Sequence, residues 1–218
     1  MNEPRTIRVS GRGLIRLKPD TMRVTMTLEG TEPVYAKTLE RSAADTERIR
    51  SALEGAGFAR EDLKTLQFHV QTEYEGYQDE GVYKQRLVGF RFRHELKVEF
   101  PSDNGRLGRV FAALANADLS PELSVAYTVK DREAAKNLLL AAAVADAKEK
   151  AEALTAAAGV RLLGIRHISY SLSENAFAVY TVNRSVMAAK ECADSFAPEI
   201  VPDEIEAEDT VAIVWEIG

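Results

Sequence analysis

The chain has 218 residues, 45% hydrophobic and 28% charged, with a formal net charge of −6. That is enough apolar material for one large domain or two small ones, and the acidic balance argues against a polyanion binder, whose affinity comes from Lys and Arg neutralising phosphates. A single cysteine, Cys192, excludes an intramolecular disulfide and a Cys-rich zinc site, and no run is apolar for the length that a membrane helix needs.

The start, MNEPRTIRVSG, has no apolar signal-peptide core, so a cytoplasmic location is expected. Residues 6–18 alternate. Ile7, Val9, Gly11, Gly13, Ile15 and Leu17 share one parity and basic residues dominate the other, the pattern of a half-buried strand. Gly11 and Gly13 on the inward parity imply a bend or a close approach by another element. Pro19-Asp20 reads as a turn, and the next strand carries Val24, Met26 and Leu28 inward. The short link predicts that these two strands pair antiparallel. Thr31 and Pro33 announce a helix, with Leu39, Ala43, Ile49, Leu53 and Ala56 on its apolar face.

Two long strands follow. Leu66, Phe68, Val70 and Tyr74 share a parity in the first, and Val88, Phe90, Phe92, His94, Leu96, Val98 and Phe100 face inward in the second. The segment 72–83 between them reads as a Gly- and Tyr-rich hairpin tip. Asp103-Asn104-Gly105 opens a short helix with Leu107, Val110, Phe111 and Leu114 on one face, and residues 122–129 form a short strand. From Asp131 to Gly159 runs an alanine-rich helix. Asp131 is its predicted N-cap and Gly159 its left-handed end. Leu140, Val144, Ala147, Ala151, Leu154 and Ala158 form its expected stripe. A strand near 165–172 follows, then an irregular excursion at 173–203, then a clear last strand with Val211, Ile213, Trp215 and Ile217 inward.

The order ββαββαβαββ predicts an α+β fold, with antiparallel sheets packed by three helices, and it is compatible with two ferredoxin-like halves. We expect a single domain over residues 1–218, interrupted only by the excursion.

The order of motifs resembles the SIMPL-domain family. Ile7, Val9, Ser10-Gly11, Gly13 and Pro19-Asp20 open its pattern. Gly57-Phe58, Asp62-Leu63, Thr65, Tyr74 and Gly89-Phe90 continue it. The helix matches best, through Ala134, Ala143, Asp146-Ala147, Lys150-Ala151-Glu152, Ala158-Gly159 and the exit Leu163-Gly164. Arg12 stands where an acidic residue is common in the family. The resemblance implies homo-oligomeric assembly, and export for many bacterial relatives. It brings no shared catalytic residue set.

The residues themselves offer little chemistry. His69, His94 and His167 fall on three different strands without metal-like spacing, and no cofactor signature is present. His94 lies on an apolar parity, where a lone histidine is usually a satisfied core residue. Cys192 lacks a demonstrable base and reads as incidental. Arg8, Arg12, Arg91 and Arg93 would form a basic, anion-binding stripe if their strands were neighbours; the competing reading is cross-strand pairing with glutamates. Tyr74, Tyr77 and Tyr83 on the hairpin are the expected contact surface, against self-packing along the hairpin. The expectation is a non-enzymatic, self-associating interaction domain without nucleic acid or membrane partners. The alternative is a small-molecule or enzymatic pocket between sheet and helices, using His94 or His167.

Overall fold

The computed structural model describes residues 4–79, 81–170, 202–218 and the backbone of 181–185. Chain order is β1 (Thr6–Leu17), β2 (Thr21–Glu32), α1 (Tyr35–Gly55), β3 (Lys64–Asp79), β4 (Val82–Pro101), α2 (Asn104–Ala115), β5 (Glu122–Thr128), α3 (Arg132–Ala157), β6 (Leu162–Tyr170), β7 (Thr181–Ser185) and β8 (Ile205–Ile217). The fold is α+β, as the element pattern predicts. The strand β7 falls inside the expected excursion; the rest of 173–201, with Cys192, lies outside the described residues.

The chain divides into two compact units. The first comprises Met1–Asp20, Thr128–Val179 and Pro202–Gly218. Its sheet has the order β1-β8-β6, antiparallel throughout, with α3 across β1 and β8. Asp131 caps α3, its carboxylate accepting from the Ala134 N–H at 2.8 Å. The close approach expected at the two glycines is here: a Cβ on Gly11 would lie 2.5 Å from that of Ala147, and one on Gly13 3.0 Å from the Ala143 nitrogen. Only a bare backbone fits beneath the helix.

The buried line of α3 differs from the expected stripe. Ala135, Leu139, Ala143, Ala147, Ala151 and Thr155 are buried, whereas Leu154 and Ala158 are exposed. Every fourth residue forms a ridge inclined to the helix axis. The phase is set by which small residues meet Gly11 and Gly13, and Leu154 is too large for that line.

The second unit comprises Thr21–Tyr127 and Tyr180–Val201. Its sheet order is β3-β4-β2-β5-β7. The run β2-α1-β3-β4-α2-β5, with β4 between β2 and β3, is the split βαβ arrangement of a ferredoxin-like unit. Among the described residues it occurs once, because those of the first unit form one helix on three strands. The core is Val24, Met26, Ile49, Leu53, Phe92, Leu96, Val98, Leu107, Val110 and Leu114, all essentially inaccessible.

Three expectations are corrected here. First, β1 does not pair with β2; β1 pairs with β8 and β2 with β4. The link between them closes no hairpin, because both edges of β2 are taken, by β4 and β5. Asp20 instead bonds to the far segment: its N–H donates to the Thr128 carbonyl at 3.2 Å and its carboxylate accepts from the Lys130 N–H at 2.8 Å. Second, α1 buries Thr38, Ser42, Asp45 and Thr46 ahead of Ile49 and Leu53, while Leu39 and Ala43 border solvent. That phase is tolerable because the polar groups find partners; the Thr38 hydroxyl lies 3.2 Å from the carbonyls of Val34 and Phe90. Third, Val88 shares the parity of the buried Phe92, Leu96 and Val98 but is exposed, because it lies in the far half of the hairpin, where residues 82–88 are all exposed; Leu66, Phe68 and Tyr74 of the edge strand β3 are exposed too.

Candidate functional site

His94 holds the most organised polar cluster of the second unit. It sits on the core face of β4, between the fully buried Phe92 and Leu96, but is itself half-buried. Its Nδ1 lies 3.1 Å from the Thr46 hydroxyl and 3.4 Å from that of Ser42, both on α1. Its Nε2 lies 3.0 Å from the Thr65 hydroxyl on β3. The Phe68 ring meets the imidazole edge-on, with centroids 5.0 Å apart. Burial lowers the His94 pKa below its ordinary value of 6.5, so the ring is held neutral near pH 7.

Beside this ring is a cavity of about 430 Å³, lined by Leu39, Ser42, Ala43, Thr46, Glu47, Arg50, Phe68 and His94. It exists because α1 lies over β2 and β4 and leaves β3 uncovered. One rim is charged: Glu47 accepts from Arg60 at 2.8 Å and from Arg50 at 2.6 Å, and these bonds, Arg60 first, hold its carboxyl below the usual range.

The partners of His94 were not singled out in the sequence. Their signal is the four-residue spacing of Thr38, Ser42 and Thr46, a hydroxyl ridge on one face of α1. Thr65 carries no such signal. It reaches His94 through a β-bulge: Thr65 pairs with Leu96 but Gln67 with Glu95, so Leu66 is the extra residue. Without the bulge, Leu66 would stand on the His94 face and Thr65 on the opposite one. The other histidines, His69 and His167, are exposed and belong to different sheets.

The four arginines of the basic stripe also fall in two sheets, Arg8 and Arg12 on β1 and Arg91 and Arg93 on β4. Arg12 pairs with Glu208. Arg91 and Arg93 both pair with Glu29, and those bonds, Arg91 first, hold the Glu29 carboxyl below its ordinary range. Arg8 is exposed opposite Val214. Cross-strand pairing therefore engages three of the four.

The tyrosines lie on the far half of the β3–β4 hairpin. Tyr74 is 56%, Tyr77 39% and Tyr83 71% exposed. Tyr83 covers Gly76, and the Arg86 guanidinium stands 5.9 Å from the Tyr77 ring. Self-packing thus occurs for these two, while Tyr74 faces Leu87 across a second register shift. Residues 82–88 are exposed at every position. Among the described residues no group of His, Cys, Asp and Glu is arranged to hold a metal ion, and no helix is long and apolar enough to cross a membrane.

These features define an α+β protein with one ferredoxin-like unit, a protruding two-stranded ribbon and a hydroxyl-bound histidine. The chain belongs to the SIMPL family, described as proteins of unknown function (DUF541), whose family model matches residues 7–215. A search of curated proteins returned no match.

Proposed function

We propose that the chain is a non-enzymatic interaction module that self-associates through the distal β3–β4 hairpin. The observation that carries this reading is the ribbon beyond Gly89. At Gly89 the hairpin passes the end of β2, where an added Cβ would strike the Pro33 Cα at 3.1 Å. Past it, two strands run with solvent on both faces, carrying Tyr74, Tyr77, Val82, Tyr83, Leu87 and Val88. A lone two-stranded ribbon is marginal in water, and exposed apolar groups on both faces gain most from a covering surface. A second copy of the chain supplies one, and homo-oligomers are the commonest assemblies of soluble chains.

The test is mass in solution by light scattering across a concentration series. The wild-type chain is expected to exceed its monomer mass of 24.1 kDa, and Leu87→Glu with Val88→Glu to return it to the monomer. A strict monomer at high concentration, or an oligomer indifferent to both charges, removes the hairpin reading.

A further inference from the structure

We propose that Thr65 is a nucleophilic hydroxyl, activated by His94 as its general base, and that it takes an acyl group from activated acyl donors. The step is a stoichiometric modification of the chain's own side chain rather than turnover, so it stands beside the assembly reading and does not depend on it.

The hydroxyls around the imidazole favour one of its tautomers. Thr46 has one hydroxyl proton, and it is committed to the Ser42 carbonyl at 2.7 Å. Toward His94 Nδ1, at 3.1 Å, the Thr46 oxygen can only accept. Of the two hydroxyls at Nδ1, Ser42 stands farther away at 3.4 Å, so the shorter contact with Thr46 favours the ring proton on Nδ1, which leaves Nε2 a lone pair. In that tautomer the Thr65 hydroxyl, 3.0 Å from Nε2, donates to it. A hydroxyl bonded to a neutral imidazole, with the opposite nitrogen anchored by a third group, is the general form of an activated nucleophile. Thr46 is a positioning residue: it touches only the base.

Placement supports the same reading. The bulge at Leu66 costs β3 a ladder position and leaves a large apolar side chain 46% exposed. What it achieves is to turn Thr65 onto the His94 face. Thr65 is itself exposed, so its oxygen is open to a reagent, while the ring that would take its proton is sheltered between α1 and Phe68.

The step balances without a cofactor. The Thr65 Oγ1 attacks the acyl carbon, the new O–C bond forms, and the hydroxyl proton passes to His94 Nε2. The bond from the acyl carbon to the leaving group breaks. With p-nitrophenyl acetate as donor, p-nitrophenolate departs as the anion and the imidazolium gives its proton to solvent.

The experiment treats the full chain with p-nitrophenyl acetate and maps acetylation by peptide mass spectrometry. Acetyl-Thr65 is expected in wild type and absent in Thr65→Ala. Removing the base in His94→Gln is expected to slow Thr65 acetylation by about 10²-fold or more. Thr46→Val removes the acceptor for Nδ1, and ¹⁵N NMR of the imidazole should then show the proton moving to Nε2, with a parallel loss of Thr65 acetylation. Thr65→Ser keeps a nucleophile in place and should remain acetylated at position 65, which guards against variants that fail to fold. Acetyl groups found only on lysines and the N-terminus would overturn the proposal. So would a Thr65 rate unchanged in His94→Gln, or wild-type NMR showing the proton on Nε2.

Discussion

Helix α3 rests on β1 through glycine and alanine, whereas helix α1 rests on β4 through hydroxyls and a histidine. At the first contact Gly11 and Gly13 admit the backbone of α3 so closely that no Cβ fits between. The interface is filled, and dispersion between close-packed atoms is its main attraction. At the second, α1 stands over His94 with Ser42 and Thr46, and a cavity of about 430 Å³ opens where the helix ends its cover of the sheet. A filled contact has no room for a ligand or a reaction. An incompletely covered sheet with satisfied polar groups keeps both a neutral base and access to it. The same helix-on-sheet architecture thus forms a filled spine in one unit and leaves an open pocket in the other.

The filled contact should be the easier to break. Gly11→Val forces branched carbons into the space held by Ala143 and Ala147. The expected loss exceeds about 4 kcal/mol, the range reserved for severe core clashes. Trp215 is the sole tryptophan and is buried in the first unit, so its fluorescence reports this unit alone. Native emission with an unchanged urea midpoint in Gly11→Val would mean that α3 does not rest on β1. Ala147→Leu is a milder test at the same seam, since a flexible side chain can relax. We expect about 1–3 kcal/mol lost, read by the same fluorescence; a neutral or stabilised variant would show unfilled space under the helix.

The smallest effect belongs to the open contact and is read through pH. Burial lowers the His94 pKa from 6.5, so the unfolded chain takes up a proton at this position before the folded chain does. Stability of the second unit should therefore fall as pH drops below about 6.5, and level off below the folded value of His94. The groups that face the ring from α1 and bear charge are Glu47 and Arg50, which are paired with each other. A separate acid limb begins lower. Glu29 is held down by Arg91 and Arg93. Burial pushes Glu99 up, but bonds from Arg23 and Lys97 outweigh it and its pKa is also lowered. Their stabilisation is lost only as pH falls through those depressed values. Amide hydrogen exchange of β3 and β4 between pH 7 and 5 should show the first limb in wild type and not in His94→Gln. An identical profile in both would exclude His94 as its source.

Some of this was open to reading residue by residue. The Asp131 cap, the inward alternation of β8 and of β4 from Phe92 onward, and the need for a close neighbour at Gly11 and Gly13 depend on local chemistry, so the chain declares them locally. The family pattern is carried by the same residues. The phase of α3 was legible only in part, since Ala147 and Ala151 lie on the buried ridge but Leu154 does not. An alanine-rich helix has little contrast between its faces, and the glycines of a distant strand choose among them.

The sequence by itself determined the strands and helices other than β7, because periodicity and capping are properties of neighbours in the chain. It also determined that Tyr74, Tyr77 and Tyr83 would cluster on one hairpin. The tertiary structure alone decided that β1 pairs with β8 across the length of the chain, because pairing depends on which edges meet. It alone decided the register by which a bulge at Leu66 brings Thr65 to His94, 29 residues away. A one-residue slip in a strand exchanges its faces, and nothing in the residues of β3 taken singly says which of Thr65 and Leu66 will face the core.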